Sequence, residues 1–166
     1  NGDCVTTELR DHVLGDIYHS QLIEVGAPDG NTQFTNNNQE AYFRSINNYQ
    51  AFKNSYANNR DILYAGSNSG LLHAFNAETG REEWAFLPPL LIGKLPTIIN
   101  SNLDGNIDGF KGGSNAIFGV DGSPVVHDVF MKGLTRDGKN IETDKSWRTI
   151  LIVPFGRGGP GFSVLD

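Results

Sequence analysis

The sequence predicts an all-β fold made of short antiparallel strands. Short apolar, β-prone runs alternate with turns rich in glycine, asparagine and serine along much of the chain. Glycine is abundant, with 20 of 166 residues, which suits many tight turns. Three such runs follow one another between Asp61 and Leu87, and a lone meander of this kind needs neighbouring sheets to bury both of its faces.

The N-terminal part is predicted to contain a polar lead-in, one strand and one helix. Residues 1–13 are polar and irregular, and the first strand is expected at Leu22–Val25. After a polar loop, apolar residues of Gln39–Tyr56 recur mostly at spacings of three and four, which predicts an amphipathic helix packed on a sheet. We interpret this stripe as packing rather than as a ligand site; it comprises Tyr42, Phe43, Ile46, Tyr49, Phe52 and Tyr56.

The central meander is predicted to end at two prolines. Its strands are expected at Ile62–Ala65, Leu71–Asn76 and Glu82–Leu87, and Pro88 and Pro89 cannot continue the last one. A helical turn broken by Pro96 is expected within Leu90–Ile99. The polar stretch Asn100–Asn115 is long for a connection in a compact fold, which indicates a functional loop.

The C-terminal part repeats the pattern of the meander. Val120–Phe130 is expected to be one strand with a polar lead-in, and further strands are expected at Trp147–Val153 and at Phe162–Asp166. The run beginning at Ile62 matches the run beginning at Ile150, and Leu72–Asn76 matches Phe162–Asp166. The sequence therefore predicts two similar units, of which the second stops before a fourth strand.

The residue pattern of the meander also resembles that of a known fold family. Between Tyr64 and Trp84, Tyr-x-Gly-x-x-x-Gly-x-x-x-Ala-Phe-x-Ala-x-Thr-Gly-x-x-x-Trp resembles one blade of a quinoprotein-type β-propeller. The resemblance implies that Ala74 and Gly80 allow close stacking and that Trp84 docks between adjacent blades as a core residue. The alternative is a hairpin of another β-sandwich. We expect a partial quinoprotein-like β-propeller of about two blades, with one or two short helices in insertions.

The expected domain organisation follows from this repeat. Residues 1–13 form a polar N-terminal segment, and residues 14–166 form a partial propeller domain. Within it the first blade covers about 14–87, an insertion 88–119, and the second blade about 120–166. Closed propellers have about four to eight blades, so the parent protein is expected to continue past Asp166. Alone, the chain is expected to be poorly soluble or oligomeric because its last strand exposes an edge.

Four motifs follow one another in order along the chain. They begin at Leu14 (Leu-Gly-Asp-Ile-x-His-Ser), at Asp61, at Val120 (Val-Asp-Gly-Ser-Pro-Val-Val-x-Asp) and at Phe155 (Phe-Gly-Arg-Gly-Gly-Pro-Gly-Phe). Together they resemble the PilC/PilY family of type IV pilus proteins. The resemblance implies a non-enzymatic protein of a Gram-negative bacterium, extracellular at the pilus tip or on the outer-membrane surface. It implies roles in pilus extension, retraction and adhesion. The implied partners are minor pilins, host-surface ligands and the remainder of its own propeller.

A second functional class uses the same blade spelling. Quinoprotein dehydrogenases hold pyrroloquinoline quinone and calcium in such propellers, and the blade motif alone does not separate them from the pilus family. The vicinal Cys-Cys pair found in many of these enzymes is absent, since the chain has one cysteine, Cys4. No Gly-x-Ser-x-Gly elbow and no Cys/His catalytic arrangement occurs in the sequence. We therefore expect no enzymatic activity.

A calcium loop is the sharpest local motif. Asp104-Gly-Asn-Ile-Asp-Gly109 matches the opening of an EF-hand-type loop. Calcium is therefore the expected cofactor, although the twelfth position holds Asn115 where a bidentate glutamate is expected. The alternative is a surface turn held by its own Asx side chains. The candidate ligands are Asp104, Asn106, Asp108, the backbone carbonyl of Phe110, and Asn115.

The remaining polar features have plainer interpretations. The four histidines, at positions 12, 19, 73 and 127, have no metal-ligand spacing, so packed or hydrogen-bonded strand residues are expected at His73 and His127. The glycine-rich run Gly156–Gly161 lacks the Gly-Lys-Ser/Thr ending of a phosphate loop and is expected to connect strands. A net charge of −6 without a basic cluster argues against a nucleic-acid partner.

Overall fold

Two antiparallel sheets form the framework of the molecule. The computed structural model describes residues 14–35, 37–59, 61–95, 118–131 and 146–166. In these ranges the first sheet has the order β1-β2-β3-β4 and the second the order β5-β6-β7. The strands are β1 (Ile23–Val25), β2 (Ile62–Gly66), β3 (Leu72–Asn76), β4 (Glu82–Phe86), β5 (Val125–Phe130), β6 (Trp147–Pro154) and β7 (Phe162–Leu165). The predicted all-β class and the two repeated units are confirmed.

Each sheet is a meander in which successive strands pair side by side. In the first sheet, Gly66 of β2 lies opposite Leu72 of β3, and the tight turn between them closes the hairpin. The turn from β3 to β4 needs Gly80, whose φ of 69° is left-handed backbone that glycine adopts without strain. Asn76 supports this turn, because its side-chain oxygen accepts hydrogen bonds from the backbone N–H groups of Glu78 and Thr79.

The two sheets share one hydrophobic core. Cross-strand pairing places Tyr64 and Leu72 on the same side of the first sheet, and Val126 and Leu151 on the same side of the second. These sides face each other, because residues of both sheets belong to one buried cluster. Its fully buried members are Leu72, Leu91, Val120, Leu151, Val153 and Phe155. Burying a side chain of this size stabilises the fold by about 1.5–3 kcal/mol.

A layer of closely packed backbone joins the sheets at one end. The N–H of Val120 donates to the carbonyl of Ser67 at 2.9 Å, and the N–H of Asp121 donates to the carbonyl of Phe155 at 3.2 Å. Residues 118–121 thus lie between the β2–β3 turn and the β6–β7 turn. A Cβ at Gly158 would overlap the carbonyl oxygen of Gly119, so this contact requires glycine at position 158.

A helical hairpin, defined as residues 39–55, interrupts the first sheet between β1 and β2. The hairpin contains α1 (Gln39–Ile46) and α2 (Tyr49–Ser55). The side chain of Asn38 caps α1 by accepting from the N–H of Ala41 at 3.0 Å. The prediction of one helix over Gln39–Tyr56 was wrong, because Asn48 adopts a left-handed φ of 56° and breaks it in two.

The helical hairpin packs on the second sheet. Tyr49 and Phe52 of α2 are buried against Trp147 of β6, with Phe130 of β5 beside them. The indole N–H of Trp147 donates to the backbone carbonyl of Asn47 at 2.7 Å. An insertion of one sheet therefore fastens the end of the other, through contacts about a hundred residues apart along the chain.

Several predicted boundaries needed correction. Strand β5 begins at Val125 rather than Val120, because the backbone of Val120 and Asp121 bonds to the two turns and Pro124 has no N–H. The helical turn expected within Leu90–Ile99 is a 3-10 helix over Pro89–Lys94. None of the described helices has the length and apolar character needed to cross a membrane.

Candidate functional site

The predicted calcium ligands lie outside the described residues. Asp104, Asn106, Asp108, Phe110 and Asn115 all fall within 96–117, as Cys4 falls within 1–13. The calcium loop therefore stays a prediction. Within the described ranges, no group of three or more His, Cys, Asp or Glu side chains is placed to hold a metal ion.

One network, buried at its serine and histidine, has the partner types of a catalytic triad. The hydroxyl of Ser67 lies 2.9 Å from Nε2 of His73, and Nδ1 of His73 lies 2.6 Å from Oε1 of Glu82. Ser67 is only 1% exposed, so a substrate carbonyl could not reach its hydroxyl. The network instead ties the β2–β3 turn to strand β4, and the expectation of a hydrogen-bonded strand histidine at His73 is confirmed.

A second histidine joins the N-terminal segment to the second sheet. Nδ1 of His19 lies 2.8 Å and 2.9 Å from the two carboxylate oxygens of the buried Asp121. The ring of His19 also stacks on Phe118 with centroids 6.0 Å apart. Because Asp121 leads into β5, this contact holds the chain before β1 against the chain before β5. It is a structural tie between two elements rather than a ligand set.

The glycine-rich run connects strands, as expected. Gly156–Gly158 forms a 3-10 turn between β6 and β7. The N–H of Phe155 donates to the carbonyl of Gly161 at 3.0 Å and closes the connection. His127 lies on a strand as expected, but it is exposed rather than packed.

The placement of Trp84 in the core was wrong. Its side chain is 42% exposed and packs on Tyr64, with ring centroids 5.5 Å apart. Trp84 lies on the edge strand β4, while the facing sheet ends at β7 in the described ranges. The two sheets consequently leave an open groove of about 370 Å³ beside Trp84, lined also by Leu151 and Leu165. Ala74, by contrast, is fully buried as expected.

The second sheet has an apolar side that faces away from the first. Val125, Ile152 and Val164 are direct cross-strand partners, so their side chains share one face. Phe162 lies on the same face, two residues before Val164. These four side chains, which we call the outer face, are 40–60% exposed. Exposed apolar patches of this kind mark contact surfaces.

Two tyrosines have pKa values that are raised by burial in the protein interior. Burial raises the pKa of Tyr64, which lies between the sheets. Burial is also the largest cause of the raised pKa of Tyr49, and its hydrogen bond to the Asp128 carboxylate raises the pKa further. The sequence stripe predicted that Tyr49 packs, but no local signal indicated Asp128 as its partner, because the two residues are 79 positions apart.

Comparison with known proteins identifies relatives along nearly the whole chain. A family model described as "PilY1 beta-propeller domain" matches residues 14–166. A "Type IV pilus biogenesis factor PilY1 homolog" of Xylella fastidiosa is 33% identical over 158 residues, which cover 95% of this chain and 11% of the relative. The "Type IV pilus biogenesis factor PilY1" of Pseudomonas aeruginosa strain UCBPP-PA14 is 34% identical over 157 residues, with the same coverage.

These matches cover nearly all of this chain but only a small part of each relative. The PAO1 strain's protein of the same description is 31% identical over 157 residues. The chain spans 11% of the length of these three curated relatives, although 95% of the chain is covered. No solved structure matches the chain.

Proposed function

Because this chain belongs to the PilY1 β-propeller domain family, we propose that it is part of the propeller of a type IV pilus biogenesis factor and acts through assembly rather than catalysis. The match over residues 14–166 carries this proposal. It is supported by the two meanders, which pack face to face as adjacent propeller blades do.

The outer face gives this module its assembly role. Exposure of the outer face to water is unfavourable, because its four side chains are apolar. They lie on the side of the second sheet opposite the shared core; they are Val125, Ile152, Phe162 and Val164. We assign their partner as a further sheet of the same propeller, which would cover this face as the first sheet covers the opposite one. The role of the outer face is then to hold neighbouring sheets of the propeller together, so that the closed propeller can contact the pilus.

The finer expectations are proposals on the same basis. We propose that the protein acts at the pilus tip or the outer-membrane surface, outside the cell, where its partners are minor pilins. A protein at this location would control pilus extension and retraction. It would also adhere to host-surface ligands. The negative net charge of this chain fits protein partners better than nucleic acid.

Replacing Val164 by aspartate in the full protein tests the assembly role. The substitution places a charge in the middle of the outer face, and burying an unpaired charge is strongly unfavourable. We expect a cell that carries Val164→Asp to lose surface pili when pili are counted by electron microscopy, and we expect the same loss in a strain lacking the protein.

The matched control is Leu90→Asp, because Leu90 is 71% exposed and lies on neither sheet. This variant should retain pili. Normal piliation with Val164→Asp would show that the outer face is not an assembly surface. Normal piliation in the strain lacking the protein would contradict the biogenesis role itself.

We also propose that the loop from Asp104 to Asn115 binds calcium. Asp104, Asn106 and Asp108 supply side-chain oxygens, Phe110 supplies its carbonyl, and water completes the shell beside Asn115. With a neutral residue at the twelfth position, affinity is expected at the weak extracellular end, with Kd about 10⁻⁴–10⁻³ M.

Calorimetric titration of calcium into the protein and into the double variant Asp104→Ala, Asp108→Ala tests this site. Binding heat is expected from the native protein alone, since the variant lacks two carboxylates. Equal heats from both proteins, or no heat from either at about 5–10 mM calcium, would reduce the loop to a turn held by its own side chains.

A further inference from the structure

A groove lined by aromatic side chains lies between helix α1 and strand β5. Its volume is about 820 Å³. One side is formed by α1 and by Phe34 before it, and the other by four consecutive residues of β5, His127–Phe130. We call it the aromatic groove; its apolar lining consists of Phe34, Tyr42, Phe43, Ile46, Phe130 and Trp147.

The backbone of β5 faces this groove with hydrogen-bonding groups. Strand β5 is the edge strand of its sheet in the described ranges. The N–H of Met131 donates to the carbonyl of Ser146 at 2.7 Å, which fixes the bonded pairs of the ladder with β6. Because bonded and non-bonded pairs alternate in an antiparallel ladder, Asp128 and Phe130 direct their backbone N–H and C=O groups away from β6.

We propose that the aromatic groove binds an extended peptide segment of a partner protein, which adds as a strand to the edge of β5 that no other described strand pairs with. Strand addition of this kind obtains affinity from backbone hydrogen bonds and specificity from pockets for alternate side chains. Asp128 and Phe130 provide the backbone groups. Tyr42 and Ile46, which are both exposed, provide an apolar wall for one aromatic or branched side chain of the peptide.

The groove continues an interface that the molecule already uses. Phe130 and Trp147 line the groove and also belong to the buried cluster that holds α2 against the second sheet. Phe43 packs edge-on against both rings, at 5.6 Å and 6.0 Å. The peptide would therefore extend an aromatic cluster whose rings are already fixed, which lowers the entropic cost of binding.

The negative charge of the chain disfavours binding of acidic peptides. The net charge is −6, and the side chain of Glu40 at the groove is 70% exposed. The nearby Arg44 is already paired with Glu40, with Nη2 3.1 Å from Oε2. An acidic peptide would be repelled, so the structure favours an uncharged or basic segment.

A synthetic peptide tests the proposal directly in the full protein. The probe is a fluorescein-labelled peptide that alternates valine and threonine around a central phenylalanine and ends in lysine. Its partner probe has the same side chains, with N-methyl groups on the alternate amides that would face β5. Fluorescence anisotropy should show binding of the first peptide and loss of binding with the second, which cannot donate to the strand.

Hydrogen exchange with residue-level mass spectrometry supplies an independent signature. Bound peptide should slow exchange at the amides of Asp128 and Phe130, which face the groove. The amides of His127 and Val129 already bond to β6 and should change little. Protection of these positions that rises with protein concentration in the absence of peptide would instead assign the groove to a second copy of the chain.

Tyr42 of the helical hairpin and Tyr56, which directly follows it, form a matched pair of variants. Tyr42 lines the groove and is 49% exposed, while Tyr56 is 45% exposed and lies outside it. Tyr42→Ser should raise the Kd of the peptide about tenfold, whereas Tyr56→Ser should leave it unchanged. Absence of binding at about 1 mM peptide, equal binding of the N-methylated probe, or equal effects of both variants would overturn the proposal.

Discussion

Replacing Tyr49 by alanine is expected to release the helical hairpin from the second sheet. Tyr49 is fully buried between Phe52 and Trp147, and removing a buried aromatic side chain costs about 3–5 kcal/mol. The change also leaves the Asp128 carboxylate without its phenolic donor and the N–H of Gly30 without its acceptor, 3.1 Å away in the native protein. Native-state hydrogen exchange of β5 and β6 amides in the full protein measures this loss as a local free energy of opening.

Two further variants separate packing from hydrogen bonding. Tyr49→Phe keeps the ring and should cost about 1–3 kcal/mol, the range for stranding a buried polar partner. Tyr56→Ala removes a tyrosine that is half-exposed and should cost less than about 1 kcal/mol. A loss below about 1 kcal/mol for Tyr49→Ala would mean that the hairpin does not fasten the second sheet.

The raised pKa of Tyr49 adds a dependence on pH. Its folded pKa lies above the unfolded value of about 10, so its contribution to stability is fully present below that pH and is lost as pH rises further. Tyr64 acts in the same direction. We expect the free energy of opening at β5 and β6 to fall above about pH 10, and to fall less steeply in Tyr49→Phe.

Gly158→Ala should separate the two sheets where their backbones touch. The new Cβ would overlap the carbonyl oxygen of Gly119, and neither backbone has a flexible side chain that could move aside. Overpacking typically costs about 1–3 kcal/mol, and a backbone overlap belongs at or above the upper end. Because residues 118–121 bond to both turns, exchange should accelerate in β2 and β6 together.

Gly93→Ala is the control for this substitution. A Cβ at Gly93 would meet no atom within 4 Å, so its effect should stay within about 0.5 kcal/mol. Equal exchange in Gly158→Ala and Gly93→Ala would exclude the tight backbone contact between the sheets. Acceleration in β6 alone would show that the two sheets open independently.

The strands were predictable because their signals are local. Apolar runs bounded by glycine, as at Ile62–Gly66 and Leu72–Asn76, give the meander and its register through the turn between them. The repeat of this pattern from Val125 to Leu165 gave the second sheet. The start of strand β5 at Val125 was harder to predict from the sequence, because only the fold shows that the N–H of Val120 donates to the distant carbonyl of Ser67.

The missed features depend on contacts between distant residues. The break at Asn48 is a single left-handed residue within an otherwise helical pattern. The motif placed Trp84 between blades, yet its exposure depends on which strand of the other sheet lies opposite β4. The aromatic groove needs α1 and β5 side by side, which no local spacing encodes.

Cysteine labelling at the outer face tests the central claim most directly. In the full protein with its native cysteines, Cys4 among them, replaced by serine, Val164→Cys should react with a maleimide at least about tenfold more slowly than Tyr18→Cys. Tyr18 is 67% exposed and lies on neither sheet, so it reports free access. Slow labelling at position 164 is the result expected if another sheet of the propeller covers Val164. Equal labelling rates would contradict the assignment of the outer face as an internal contact of the propeller.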